Sequence, residues 1–153
     1  MFVVTAVTIL LLGLGIFYLW SSSQSPALET AICQPKDLGE RYHFAGQSDI
    51  FSAPLQETIV ESYTVSLLDN QLSNTVLQCG IIQYPDAKAA RQAFATICTD
   101  SKESLHIGDE ACIFASSAPE NLAFRRDIFL VLIRGDIGDV TGPATAVDAR
   151  LQK

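Results

Sequence analysis

The sequence predicts an α+β protein: one N-terminal transmembrane helix, then an antiparallel sheet with its helices mainly on one face, in the order ββαβββα. Three observations carry that expectation. The chain opens on an almost unbroken apolar run, Phe2 to Trp20, and no charged side chain precedes Glu29. Later segments have the composition and period-two alternation of strands, bounded by turn residues. Two further segments, after Pro85 and after Pro143, repeat small and apolar residues at helical spacing.

At 1.5 Å per residue a run of about 19 residues reaches roughly 28 Å, close to the hydrocarbon thickness of a bilayer. Residues 1–20 therefore read as a transmembrane anchor, with the membrane as a partner through residues 2–20. A signal peptide cleaved near Ser21-Ser22-Ser23, releasing a secreted soluble domain, is the alternative. It would open on a basic region and carry a shorter apolar core, and Met1-Phe2 supplies no base. Tyr18 and Trp20 sit at the outer end of the run, where amphipathic rings favour the headgroup layer. The first cysteine is Cys33, too far along for a lipid-modified start. No Lys or Arg precedes Lys36, so flanking positive charge does not set the orientation. Four cysteines, an even number, suit an oxidising compartment, which puts the domain on the extracytoplasmic side of the cell membrane as a single-pass protein.

Residues 21–27 form a short polar tether containing Pro26, and all 17 acids and all 10 Lys and Arg lie beyond it. Residues 28–153 are enough for one external domain with one core. A net charge of -7 argues against a nucleic-acid partner, whose binding requires basic surface, and against docking on an anionic membrane face.

Within the domain, residues 28–46 read as irregular, with a turn at Pro35–Gly39. Segments 58–68 and 75–84 read as strands around a turn at Asp69-Asn70-Gln71. In the second, Leu77, Cys79 and Ile81 share one face by parity. Pro85-Asp86 opens a helix running to about Cys98, with Ala87, Ala90, Phe94 and Ile97 on one stripe and Lys88, Arg91 and Gln92 toward water. Strands follow near 110–116, 121–126 and 128–134, the last two joined by a tight turn around Arg126-Asp127. The run Ile128 to Ile133 is apolar on both faces, which fits a strand covered twice or one whose outer face meets a protein partner. A helix after Thr141 closes the chain, with Ala144, Val147 and Leu151 on its stripe and Arg150 and Lys153 at its end.

Cys33, Cys79, Cys98 and Cys112 contain no CxxC pair, and His43 and His106 stand far apart, so the expectation is two disulfides and no metal site. Strand 79–84 advances about 17 Å and the following helix returns about 18 Å, which brings Cys98 back over the sheet. Cys112 shares parity with Phe114 and faces that helix if Phe114 is buried, so Cys98–Cys112 is the first choice and Cys33–Cys79 follows. A Cys79–Cys98 pair satisfies the same height argument and stays open.

The segments Tyr84–Ala87, Ile107-Gly108-Asp109-Glu110-Ala111 and Leu122-Ala123-Phe124-Arg125-Arg126 together resemble bacterial membrane-anchored or lipoprotein-like extracytoplasmic domains, over roughly residues 62–153. The resemblance implies fold and compartment and supplies no activity.

No nucleophile elbow or cofactor loop is present, and the sequence gives no catalytic residue and no cofactor. Adjacent Asp109 and Glu110 point to opposite faces if both lie on a strand. The one concentrated basic feature is Arg125-Arg126, with Arg134 at the far end of the next strand. A solvated hairpin tip is the plain reading, and contact with an anionic ligand or partner is the functional one. The expected function is thus a membrane-anchored extracytoplasmic binding or accessory domain, not an enzyme. A ligand sensor acting through a separate membrane signalling partner is the alternative.

Overall fold

The computed structural model describes residues 27–47, 58–71, 75–99, 105–114, 121–135, 137 and 139–153. The anchor expected over residues 2–20, and the tether up to Pro26, lie outside these residues. Among the described residues no helix is long and apolar enough to cross a membrane.

The chain enters through a single helical turn, α1 (Leu28–Ala31), and a 3-10 turn at Pro35–Asp37. Six strands follow among the described residues: β1 (Tyr42–Gln47), β2 (Glu61–Asp69), β3 (Thr75–Gln83), β4 (Glu110–Phe114), β5 (Asn121–Arg126) and β6 (Phe129–Gly135). They form one antiparallel sheet in the order β1-β2-β3-β6-β5-β4. Two three-stranded meanders therefore meet where β3 pairs with β6. Between them α2 (Ala87–Ile97) carries the chain from the centre of the sheet to its far edge, packing on β5 and β6. The last element is α3 (Thr141–Leu151).

This order corrects the expected ββαβββα at its start, because residues 42–47 form a strand where irregular chain was expected. An edge strand pairs on one side only, and β1 is exposed along almost its whole length. It therefore shows little of the apolar alternation by which strands are read.

The placement of helices is corrected too, since they cover both faces of the sheet. On one face, Leu77, Cys79, Ile81, Phe124, Val131 and Ile133 pack against α1 and against Ala144 and Val147 of α3. On the other, Ile82, Ala123, Leu130 and Leu132 pack against Ala90 and Ala93 of α2. The cause lies in β6, whose Phe129 to Ile133 are all buried although successive side chains point to opposite sides. Such a strand requires cover on both sides, and α2 and α3 supply it intramolecularly, so the Ile128 to Ile133 run is not a free face for a partner.

Local chemistry fixes the boundaries. Asp86 is the N-cap of α2, not its first turn: its carboxylate accepts the Ala89 N–H at 2.7 Å, an interaction typically contributing about 1 kcal/mol. Alanines at positions 90 and 93 are fully buried and let α2 sit close to the sheet. The turn between β5 and β6 consists of Asp127 and Ile128, and Asp127 takes a left-handed φ of 51°, which a short polar side chain tolerates.

Both expected disulfides are present. Cys33–Cys79 ties the segment after α1 to β3, and Cys98–Cys112 ties the end of α2 to β4, each with Cα atoms 6.1 Å apart. Cys112 stands opposite Ala123, on the face that α2 covers, as the parity argument requires.

Candidate functional site: a cleft beside the β1 edge

Where the entering chain crosses the sheet it leaves an open cleft of about 510 Å³. One wall is α1 and the 3-10 turn, contributing Glu29, Thr30, Ile32, Gln34 and Lys36. The opposite wall is the β1–β2 edge, contributing Phe44, Gly46, Gln47, Tyr63 and Val65. Ile32 and Val65 are buried, Tyr63 is half-buried, and Phe44 is 46% exposed, which is unusual for so large an apolar ring.

A bulge builds the sheet wall. Phe44 stands opposite Leu67 and Gln47 opposite Val65, while the register shifts between Phe44 and Gly46. In an unbroken strand, residues 44 and 47 would face opposite sides; the extra residue, Ala45, returns Gln47 to the side of Phe44. Gly46 allows this with φ 138°, a conformation that residues with a Cβ rarely adopt.

The other wall is clamped from below. Cys33 is bonded to Cys79, which stands opposite Val65 in the ladder. Arg150 of α3 reaches across to donate to Ala31 O and Ile32 O, both at 3.0 Å, and to both carboxylate oxygens of Asp37 at 3.0 and 2.6 Å. Asp37 in turn accepts the Gln34 N–H at 2.8 Å, and the Gln34 side chain donates to Glu29 O and Ile32 O. The backbone of this wall is thus held at several points, by Arg150, Asp37 and the Cys79 disulfide from outside the cleft surface and by Gln34 from within it.

The polar side chains of the cleft divide cleanly. Gln34 is engaged in these bonds, and Thr30 donates its hydroxyl to Ala27 O. Glu29, Lys36, Gln47 and the Tyr63 hydroxyl have no side-chain partner among the described residues. The arrangement combines an apolar and aromatic lining with four polar groups that no described side chain engages, one acidic, one basic and two neutral. Such a surface suits a small molecule with an apolar body and polar ends, and the volume lies within the roughly 300–1,000 Å³ of small-ligand sites.

None of the sequence-nominated arginines lines this cleft. Arg125 is buried and pairs with Asp109 Oδ2 at 2.9 Å, its Nε lying 3.5 Å from Glu110 Oε2 without hydrogen-bond alignment. Arg126 donates from Nε and Nη2 to the two oxygens of Asp148 at 2.7 and 2.8 Å, and from Nη1 to Asp109 at 3.0 Å. The pair is therefore engaged by the protein's own acids and does not form a solvated tip. Arg134 is exposed and stands opposite Asn121, at the other end of the hairpin, so the structure does not bring it to the pair.

Asp109 and Glu110 converge on Arg125, although they were expected to diverge. Strand β4 begins only at Glu110, and Gly108 turns the preceding chain with φ 66°. A Cβ on Gly108 would lie 2.4 Å from Arg125 O, so the close approach itself requires glycine. Burial, the largest single influence on Asp148, pushes its carboxyl upward. The Arg126 fork, the Gly108 N–H and Gln152 outweigh it and leave the group below its ordinary value. Hydrogen bonding to Asp148 raises Arg126 in turn. This network joins β4, β5 and α3, and Arg91 of α2 joins it through Glu110 at 2.5 Å.

Sequence reasoning did not find the cleft. Its one local signal is Gly46 soon after the aromatics Tyr42 and Phe44, because a glycine within a strand often marks a bulge. Comparison with known protein families, with curated proteins and with solved structures finds no match, so the functional reading rests on the geometry of this cleft.

Proposed function

We propose that the chain is a membrane-anchored extracytoplasmic binding domain whose ligand occupies the cleft between α1 and the β1–β2 edge. One observation carries the reading: an exposed aromatic ring and four polar side chains without a side-chain partner among the described residues share a cleft whose α1 wall is cross-linked and hydrogen-bonded in place. Two disulfides fit an oxidising compartment, and the charge-free run at residues 2–20 fits an anchor. A tether of seven residues reaches at most about 24 Å, which would keep α1 and the cleft near the bilayer. Convergent polar groups in a cleft favour the ligand-sensing form of this function, in which occupancy is passed to a separate membrane protein.

A thermal-shift screen of small polar and amphipathic molecules against the full chain in maltoside micelles tests the binding reading. Expected are compounds that raise the midpoint of the wild type and lose that effect in Gln47→Trp, which fills the cleft from an exposed position. A screen without such a Gln47-sensitive compound would refute the site. The anchor is tested separately by carbonate extraction, which should leave the protein in the membrane pellet. A soluble mature species beginning near Gln24 would establish signal cleavage instead.

A further inference from the structure

We infer that the cleft takes a zwitterion with an apolar body, of the chemistry of a short apolar peptide with free ends. The inference rests on the cleft being a ligand site and names what fits it.

Glu29 and Lys36 both line the cleft, on the α1 side, and they do not pair with each other or with any other described residue. Either charge alone would be an ordinary surface residue. Together, at the rim of one cleft, they offer a carboxylate for an ammonium group and an ammonium for a carboxylate, with no net charge between them. That balance contrasts with the protein as a whole, whose net charge of -7 disfavours a free anion of any kind. A ligand carrying both charges matches the rim and is neutral toward the wider field.

Beside the charges, Phe44, Val65 and Ile32 give the cleft an apolar lining that accepts aliphatic or aromatic side chains. The two neutral groups, the Gln47 amide and the Tyr63 hydroxyl, each donate and accept, which is what a peptide group requires of its surroundings. A volume of about 510 Å³ leaves room for more than one residue's side chain.

The test is calorimetric titration of the full chain, in uncharged maltoside micelles, with the tripeptide Leu-Phe-Leu, its N-acetyl derivative and its C-terminal amide. Acetylation removes the cation and amidation reduces the ligand to a cation alone. Each cap should weaken binding roughly two- to fivefold, the range of a solvent-exposed charge pair. In Glu29→Gln the acetyl penalty should vanish while the amide penalty remains, and in Lys36→Gln the reverse should hold. Equal affinity for the three peptides, penalties that persist in both variants, or no peptide binding at all would overturn the zwitterion inference. Peptide binding that survives Gln47→Trp would overturn the cleft itself. A non-zwitterionic compound that binds in a Gln47-sensitive way while the peptides do not would overturn the ligand class and leave the binding site standing.

Discussion

Phe44 and Gln47 lie three residues apart on one strand and nevertheless face the same side of the sheet, Phe44 opposite Leu67 and Gln47 opposite Val65. The bulge at Ala45 that brings this about also bends the edge strand where the cleft opens. The wall that carries the exposed ring therefore depends on a single backbone irregularity, and Gly46 is the residue that permits it.

Gly46→Ala tests that dependence. No atom would obstruct the new Cβ, so any effect comes from φ 138° alone. Strain of this kind costs of order 1–3 kcal/mol, and the chain can relieve it by losing the bulge. Urea unfolding should show a small destabilisation, while ligand binding falls by much more than the stability change accounts for. Binding at wild-type strength would show that the bulge does not shape the site.

Arg150→Ala should loosen the opposite wall. It removes four hydrogen bonds at once, leaving two carbonyls and the almost fully buried Asp37 carboxylate without their cation. Loss of a partner from such a pair costs roughly 2–4 kcal/mol. Arg150→Lys keeps the charge but not the fork and should recover only part of the loss. Hydrogen exchange should locate the change in residues 31–38; protection unchanged there would contradict the clamp.

The stability of the network joining β4, β5 and α3 should depend on pH through Asp148. Its folded carboxyl lies below the ordinary value, so the folded state binds that proton less readily than the unfolded chain. The contribution is present at neutral pH and is lost as pH falls below about 4 and through the depressed folded value. Asp148→Asn should flatten this part of the stability curve, and a profile between pH 5 and pH 2 no flatter than the wild type would exclude Asp148 as its source. Tyr84 provides the alkaline counterpart: burial pushes its phenol up to about 12, so its contribution is fully present below about pH 10 and is lost as pH rises from there through about 12.

What the sequence disclosed follows from the range of the forces involved. Strands β2, β3, β5 and β6 and the two longer helices were legible because each rests on local periodicity, whereas for the disulfides the height argument left Cys79–Cys98 open and only the parity of Cys112 with Phe114 favoured the pairing the structure shows. Strand β1 was not, since its strandness comes from pairing with β2 and not from its own residues. The two-sided cover was half legible: the apolar run at Ile128 to Ile133 demanded it, but nothing local says which helix goes to which side. The arginine pair misled for a related reason. Asp148 lies 22 residues beyond Arg126 and Asp109 lies 17 before it, so the neutralising acids become visible only once the chain has folded.

The two disulfides should separate stability from function. In the chain-entropy account, Cys33–Cys79, with a sequence separation of 46, contributes ~4 kcal/mol, and Cys98–Cys112, with a separation of 14, contributes ~3 kcal/mol. These similar magnitudes predict similar losses of stability for the two paired Cys→Ser variants. Their positions predict different effects on binding. Cys98–Cys112 lies on the face covered by α2, away from the cleft, whereas Cys33 holds the cleft wall down onto β3 beside Val65. Removing Cys33–Cys79 should therefore abolish or strongly weaken ligand binding under conditions where the domain is still folded. Removing Cys98–Cys112 should leave affinity near wild type once the unfolded fraction is allowed for. Midpoints from urea unfolding and affinities from titration measure the two quantities independently. Equal loss of binding in both variants would mean that the cleft depends on overall stability and not on the tie at Cys33.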